Sequence, residues 1–366
     1  MEFALTDEQR LLDDSLRGYL SRELTLDTLK ATVKDGPGLS DSHWGALAEL
    51  GLTGLIVPEE YGGSGLGVLD AAVAAEALGY HAAPVAFAGP CVMAPLAVQS
   101  MADAGQKADW LPRMAAGEMR VAVAFAADTG QTGVANVSLD DGKLTGRVDS
   151  VLDAAGATHV LVILPDGRAA LAEVSGKGVT CALKPTLDRT RPLADVSFAG
   201  ASVAILDASN DPAATVQGVR NAGRVMLAAD TLGAAQAMLD KAVAYAMERV
   251  QFGRVVASFQ AVKHMAAEMA TELEPCRALV WFAAHAHDAI PEEAHLAACH
   301  AKAHLAEVGR HVQTKATEMH GGMGFTELMG LELWFKRISL DRHVLGGPER
   351  CRHEAAVAQG WVKSQA

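Results

Sequence analysis

Leu11, Leu12, Leu16, Tyr19 and Leu20 fall on one face of a predicted helix, and Thr6 with Gln9 forms a capping box at its start. The same three-four period returns far along the chain. Val225, Ala228, Leu232, Ala235, Leu239, Ala242 and Ala246 predict one long helix, a second follows from about Ser258 to Ala286, and a third starts near Pro291 and ends at "MHGGMG". Between these regions, from about 121 to 205, the pattern shortens to β-type runs: "VAVAFA", "HVLVILP", "ALAEV" and "VSFAGASVAIL". Turns such as "DDGK", "PDG" and "SGKG" separate them. The expected order is therefore helices over 1–120, a β-domain over 121–208 and a helical bundle over 209–366, with no internal repeat.

Composition fits a mostly helical protein. Half of the 366 residues are apolar, only 5% are aromatic, and alanine recurs throughout, which suits closely packed helices. A formal net charge of −13 opposes binding to nucleic acid or to an anionic membrane surface, so any small anionic ligand must be held locally by arginines and helix ends. The most apolar long run, "HAAPVAFAGPCVMAPLAV", is cut by Pro84, Pro90 and Pro95 and reads as buried helical pieces, not a membrane span. The first twenty residues have no basic stretch leading into an apolar one, as a secretory signal would. Five scattered cysteines, odd in number and never in a Cys-x-x-Cys pair, read as reduced thiols of a cytoplasmic protein.

Two segments carry candidate chemistry. In "ERVQFGRVVASFQAVKH" a helix bearing Arg249 is expected to end at Gly253, and the next to begin at Phe259 and Gln260. That places a guanidinium, two amides (Gln251, Gln260) and two rings (Phe252, Phe259) at one helix–helix corner, where the planar fork of arginine suits a diphosphate. The plainer reading is an arginine that complements a helix dipole above an aromatic staple. In "EMHGGMGF", Gly321, Gly322 and Gly324 let backbone approach a flat or phosphorylated ligand, although a helix C-cap explains such glycines equally. His300 and His304 have the i, i+4 spacing of zinc ligands but no third ligand nearby, and read as a solvated face.

In this order, and with about sixty residues of helix between them, the two segments resemble the acyl-CoA dehydrogenase family. The likeness extends to "VPEEYGGSGLGVLDAAVAAEALG", "WLPRMAAGE", "FQAVKHMAAEMATELE" and "EMHGGMGFTE", and so covers almost the whole chain. The resemblance implies a mostly α fold: an N-terminal helical domain, a small middle β-barrel and a C-terminal four-helix bundle. It implies FAD as cofactor, an acyl-CoA substrate and a separate electron-transfer acceptor. Hydride leaves the β-carbon of the thioester for the flavin while a buried carboxylate of raised pKa removes the α-proton. It further implies that Arg249, Gln251, Phe252, Gln260, Glu318, Gly321, Gly322 and Gly324 reach across a dimer interface to the diphosphate and adenosine of a neighbouring subunit's FAD.

Against the family pattern, both positions that carry the catalytic glutamate are glycine here. Aligning Arg337 of "WFKRISLDRHVLGG" puts Gly346 where the usual base stands, and the alternative site, just before an arginine on the first long bundle helix, is Gly223 before Arg224. By residue type alone "LGGP" is a helix-ending turn. Glu349 is a displaced candidate on the far side of Pro348. The loop and the aromatic segment that face the flavin ring in the family are replaced by "AFAADTGQTGV" and "RVDSVLDAAGATHVLV". The resemblance thus implies a base-lacking subunit, with no catalytic residue of its own, paired with a second acyl-CoA dehydrogenase-like subunit in an α2β2 complex that acts on bulky acyl-CoAs such as steroid fragments, or on dicarboxylic ones. The alternatives are a self-sufficient homo-oligomer with an unrecognised base, and a flavin-free structural subunit.

Overall fold

The computed structural model describes residues 4–34, 41–126 and 135–363. Its N-terminal helices are α1 (Asp7–Glu23), α2 (Leu26–Lys34), α3 (Asp41–Glu49), α4 (Val68–Tyr80), α5 (Ala94–Met101) and α6 (Ala104–Ala115). The capping box is present: Gln9 N donates to Thr6 Oγ1 at 3.2 Å, and Thr6 N to Gln9 Oε1 at 3.0 Å. Gln9 then uses its amide group to reach Asp70 Oδ1 at 3.1 Å, so the signal that starts α1 also fastens it to α4. The proline-cut run folds as predicted into short buried pieces, a π-turn over Ala88–Met93 followed by α5. No helix among the described residues is long and apolar enough to cross a membrane.

Eight strands follow: β1 (Val121–Phe125), β2 (Ala135–Asp140), β3 (Lys143–Leu152), β4 (His159–Ile163), β5 (Ala169–Glu173), β6 (Val179–Leu183), β7 (Leu193–Ser202) and β8 (Ala204–Leu206). They build two four-stranded sheets, β1-β4-β5-β8 and β2-β3-β7-β6. The expected small β-barrel is not found: among the described residues no hydrogen-bonded ring closes. The reason lies in what each face covers. Ala122, Ala124, Val160 and Val162 point into the core between the sheets, whereas Val121, Val123, Phe125, Leu161 and Ile163 point into the helical core. β1 and β4 are thus buried on both faces and read as unbroken apolar runs. β2 and β6, the outer strands of the second sheet, bury almost nothing, and this hides them in a hydropathy reading.

The C-terminal part contains α7 (Pro212–Glu248), a two-residue hairpin of β9 (Val250–Gln251) and β10 (Arg254–Val255), then α8 (Gln260–Ala289), α9 (Pro291–His320), α10 (Leu331–Asp341) and α11 (Pro348–Ala358). Buried ion pairs lock it to the sheets. Arg337 of α10, 1% exposed, makes two bonds of 2.7 Å to the Asp230 carboxylate of α7 and a third of 2.9 Å to the Ala83 carbonyl. Arg191, which precedes β7, pairs with both Asp230 and Asp341. Burial alone raises the Asp230 carboxyl, but Arg191 and Arg337 outweigh it and hold it at about 2. Removing one partner from such a buried set costs about 3–5 kcal/mol, because it strands the other charge.

Candidate functional site

The two glycine positions aligned with the catalytic base lie together in the interior. Gly223 sits a third of the way along α7, on a turn buried all round. A Cβ built there would lie 2.5 Å from Met93 Sδ and 2.6 Å from Leu345 Cδ1, so the space a side chain would take is filled from the π-turn and from the α10–α11 connection. Leu345 is 4% exposed and holds φ +58°, and Gly346 follows at φ +99°. A left-handed leucine is strained and persists only where its surroundings hold it. Here the neighbouring Arg224 holds it, donating Nε to the Leu345 carbonyl at 2.9 Å.

Arg224 is fully buried, and its Nη1 reaches Glu354 Oε2 at 2.6 Å and Cys299 Sγ at 3.3 Å. Burial alone raises the Glu354 carboxyl, but hydrogen bonding and charge from Arg224, helped by Arg350, bring it down to about 2. Glu354 is therefore a salt-bridged anion and a very weak base. Glu349 is exposed and paired with Arg342 at 3.4 Å, outside the turn. Asp153 is buried with a raised pKa caused by that burial, but its Oδ2 accepts the Gly89 amide at 2.8 Å.

The outward corner has the opposite character. α7 stops at Glu248, so Arg249 is the extended residue that caps the helix and not part of it, a correction to the sequence reading. Hairpin hydrogen bonding pairs Arg254 with Gln251, leaving Phe252 and Gly253 at φ +53° and +76° as a type I′ turn. Phe252 is 92% exposed, although phenylalanine is an unfavourable residue at positive φ. Its ring meets the edge of Phe259 at 6.1 Å, and Arg254 lies over the Phe259 face at 3.9 Å. Arg249 is exposed, and its guanidinium makes no hydrogen bond or ion pair among the described residues.

Stacking of Tyr245 on His320, at 4.6 Å between ring centres, brings the end of α7 to the end of α9. The two sequence segments are thereby neighbours in space. Gly321, at φ +58°, and Gly322 are exposed, and a Cβ built on either would meet nothing within 4 Å. Gly324 differs: it is buried, and a Cβ there would press on the Thr317 carbonyl at 2.6 Å, so its missing side chain serves the fold. Gln260 opens α8 on the surface, Gln251 bonds the Val250 carbonyl at 2.9 Å, and Glu318 pairs with Lys315 at 2.9 Å. An unpaired guanidinium beside a bare glycine surface fits a phosphate-bearing cofactor such as FAD.

Of the ring-facing segments, residues 127–134 lie outside the described residues. In the second segment Ser150 and Leu152 are buried, with Lys184 Nζ donating to Ser150 Oγ at 2.8 Å. His300 and His304 are exposed on α9 and join no metal-like group among the described residues. A set that spacing did not reveal is His295, Cys299 and Glu354, contributed by α9 and α11.

Comparison with known proteins agrees with this architecture. Residues 6–118 match the model of the acyl-CoA dehydrogenase N-terminal domain, and residues 213–358 that of the C-terminal domain. The chain is 29% identical to the acyl-CoA dehydrogenase IpdE2 of Mycolicibacterium smegmatis, over 94% of this chain and 96% of that one. It is 28% identical to the acryloyl-CoA reductase (NADH) of Anaerotignum propionicum, over 99% and 96% of the two chains. A solved variant of the Tcur3481-Tcur3483 steroid ACAD superposes with a TM-score of 0.86 at 27% identity, over 97% of this chain and 98% of the other. The chain belongs to the acyl-CoA dehydrogenase family, whose FAD-dependent oxidoreductases act on acyl-CoA thioesters.

Proposed function

We propose that this chain is the base-lacking subunit of a heteromeric acyl-CoA dehydrogenase, and that it lends its outward corner to FAD seated in a partner subunit. The observation that carries the reading is the filled space at Gly223: Met93 and Leu345 occupy the room a side chain there would need, which supports a site without a proton acceptor. When bound, FAD supplies the hydride acceptor, and the partner's carboxylate takes the α-proton. This chain's part is to bind and orient. Arg249 gives a charge-assisted contact to phosphate, Gln251 and Gln260 offer amides, and the Gly321–Gly322 backbone admits close approach. Glu318 and the buried turn at Gly324 support that backbone, and the exposed Phe252 packs against the ligand or the partner chain.

Val250, Phe252 and Phe325 are 54–92% exposed on the hairpin and on the glycine turn, an apolar surface of the kind that a subunit interface covers. The steroid name of the Tcur3481-Tcur3483 relative supports bulky, steroid-derived acyl-CoAs as substrates. Three domains over 1–120, 121–208 and 209–366, a cytoplasmic α2β2 assembly and a separate electron-transfer acceptor belong to the same reading.

The test is co-purification with the candidate partner, native mass spectrometry of the complex and a flavin count after denaturation. One FAD per pair of unlike chains is expected, together with no acyl-CoA oxidation by this chain alone when it is loaded with FAD. One tightly held FAD per chain, with turnover by the single chain, means a self-sufficient enzyme; no flavin in the complex means a structural subunit. Either result overturns the proposal.

A further inference from the structure

Behind the Leu345–Gly346 turn, α9 supplies His295 and Cys299 one helical turn apart, and α11 supplies Cys351 and Glu354. Cys299 and Cys351 are fully buried and share a small cluster with Ala303 and Ala355, which stand four residues further along the same two helices. Alanines at a helix crossing let the backbones approach closely, which brings the thiols together. Cys351 Sγ donates to the Gly346 carbonyl at 3.6 Å, and Arg224 Nη1 donates to Cys299 Sγ at 3.3 Å. His295 Nδ1 lies 3.8 Å from Cys299 Sγ, and His295 also lines a cavity of about 400 Å³ between α5, the start of α7 and the α8–α9 junction. A small solute in that cavity is one side chain away from the sulfurs.

His295, Cys299 and Glu354 place their ligand atoms within 4.8 Å of one another, as a metal site would. Arg224 argues against a metal, since its Nη1 bonds both Cys299 and Glu354 and a fixed cation there repels a second one. The same cation favours a thiolate.

We propose that Cys299 and Cys351 form a reversible thiol–disulfide site, oxidised by a hydroperoxide that enters through the cavity at His295. The thiolate attacks the terminal peroxide oxygen and becomes a sulfenic acid, releasing hydroxide from hydrogen peroxide or an alkoxide from an organic hydroperoxide. The second thiol then displaces water, with its proton, to form the S–S bond. In sum, two thiols and one hydroperoxide give one disulfide and, when the oxidant is hydrogen peroxide, two waters. A dithiol returns the two electrons and two protons.

The groups facing the pair are Arg224 from α7, His295 and Lys302 from α9, and Glu354 from α11. The Cys351 thiol is lowered to about 6, first by the Cys299 thiol beside it and then, against burial, by the Arg224 and Lys302 charges. Cys299 moves the opposite way, raised first by its hydrogen bond with Cys351 and then by burial. The Arg224 and Lys302 charges beside the pair favour loss of one thiol proton.

The full chain, with its partner where one co-purifies, is treated with hydrogen peroxide, alkylated under denaturing conditions and digested. A Cys299–Cys351 peptide about 2 Da lighter than its two thiol halves is expected, lost on treatment with dithiothreitol. It should be absent in Cys299→Ser and in Cys351→Ser and present in Cys91→Ser, while Cys91 and Cys276 still alkylate. Cross-linking should already proceed at neutral pH, below the ordinary thiol range near ~8.5. Alkylation of both cysteines after peroxide, or over-oxidation of Cys351 without a cross-link, overturns the proposal. So does a rate that climbs only in the ordinary thiol range near pH ~8.5.

Discussion

The buried turn at Gly223, Leu345 and Gly346 and the exposed corner at Arg249 and Gly321 both look, in one dimension, like glycine motifs next to an arginine. In three dimensions they differ in what fills the glycines' empty side. At Gly223 that side holds Met93 and Leu345, and the adjacent arginine is consumed by Leu345, Cys299 and Glu354. At Gly321 and Gly322 it holds nothing within 4 Å, and the Arg249 guanidinium has no protein partner among the described residues. A glycine whose space is taken by the protein itself serves packing, whereas one whose space is open, beside an unpaired charge, leaves room for a ligand.

The largest effect should come from forcing a base back into the interior. Gly223→Glu must displace Met93 and Leu345 from a close-packed layer and bury a carboxylate among apolar atoms, so urea unfolding should show a loss of about 3 kcal/mol. Acyl-CoA oxidation should not appear in the variant. Full stability, or turnover by the variant alone, would show that the interior is an accessible active site.

At the corner the effect should move from stability to ligand. Arg249→Ala removes a charge-assisted phosphate contact, so FAD binding to the complex should weaken by about 1.5–3 kcal/mol while unfolding changes by less than about 0.5 kcal/mol. An unchanged flavin off-rate would end the assignment of Arg249. The glycines of "HGGMG" should then separate by the same logic. Gly324→Ala presses on the Thr317 carbonyl and should cost about 1–3 kcal/mol of stability, whereas Gly322→Ala should cost under about 0.5 kcal/mol and show itself in FAD affinity.

The most diagnostic effect is in pH. Glu354 is held at about 2 against an ordinary 4.5, so its ion pair with Arg224 stabilises the fold above 4.5 and is lost as pH falls from 4.5 towards 2. Acid titration of the wild type should show that loss, and Glu354→Gln should flatten the stability curve across this window. A mutant curve parallel to the wild type would place the acid-sensitive group elsewhere.

Helices with a sustained three-four period were legible because one apolar face recurs over many turns, as in α7, and because local signals such as the Thr6–Gln9 box act within four residues. β1 and β4 were legible because both of their faces are buried. β2 and β6 were not, since edge strands facing water carry no apolar run, and with them went the distinction between two packed sheets and a barrel. At the corner, residue types and spacing named the candidates, but the stop of α7 at Glu248 ahead of Arg249 depended on the hairpin that follows.

The sequence by itself determined that glycine, not glutamate, stands at 223 and at 346. It also determined the order and spacing in which Arg249, Gly321, Gly322 and Gly324 follow one another. Only the tertiary structure decided which glycines are full and which are open, that Met93, some 130 residues before Gly223, is what fills it, and that Cys299 and Cys351 meet. The physical reason is range. Propensity and capping act between residues a few positions apart, whereas excluded volume and charge pairing act between whichever atoms folding makes neighbours, and the chain order does not encode those distances locally.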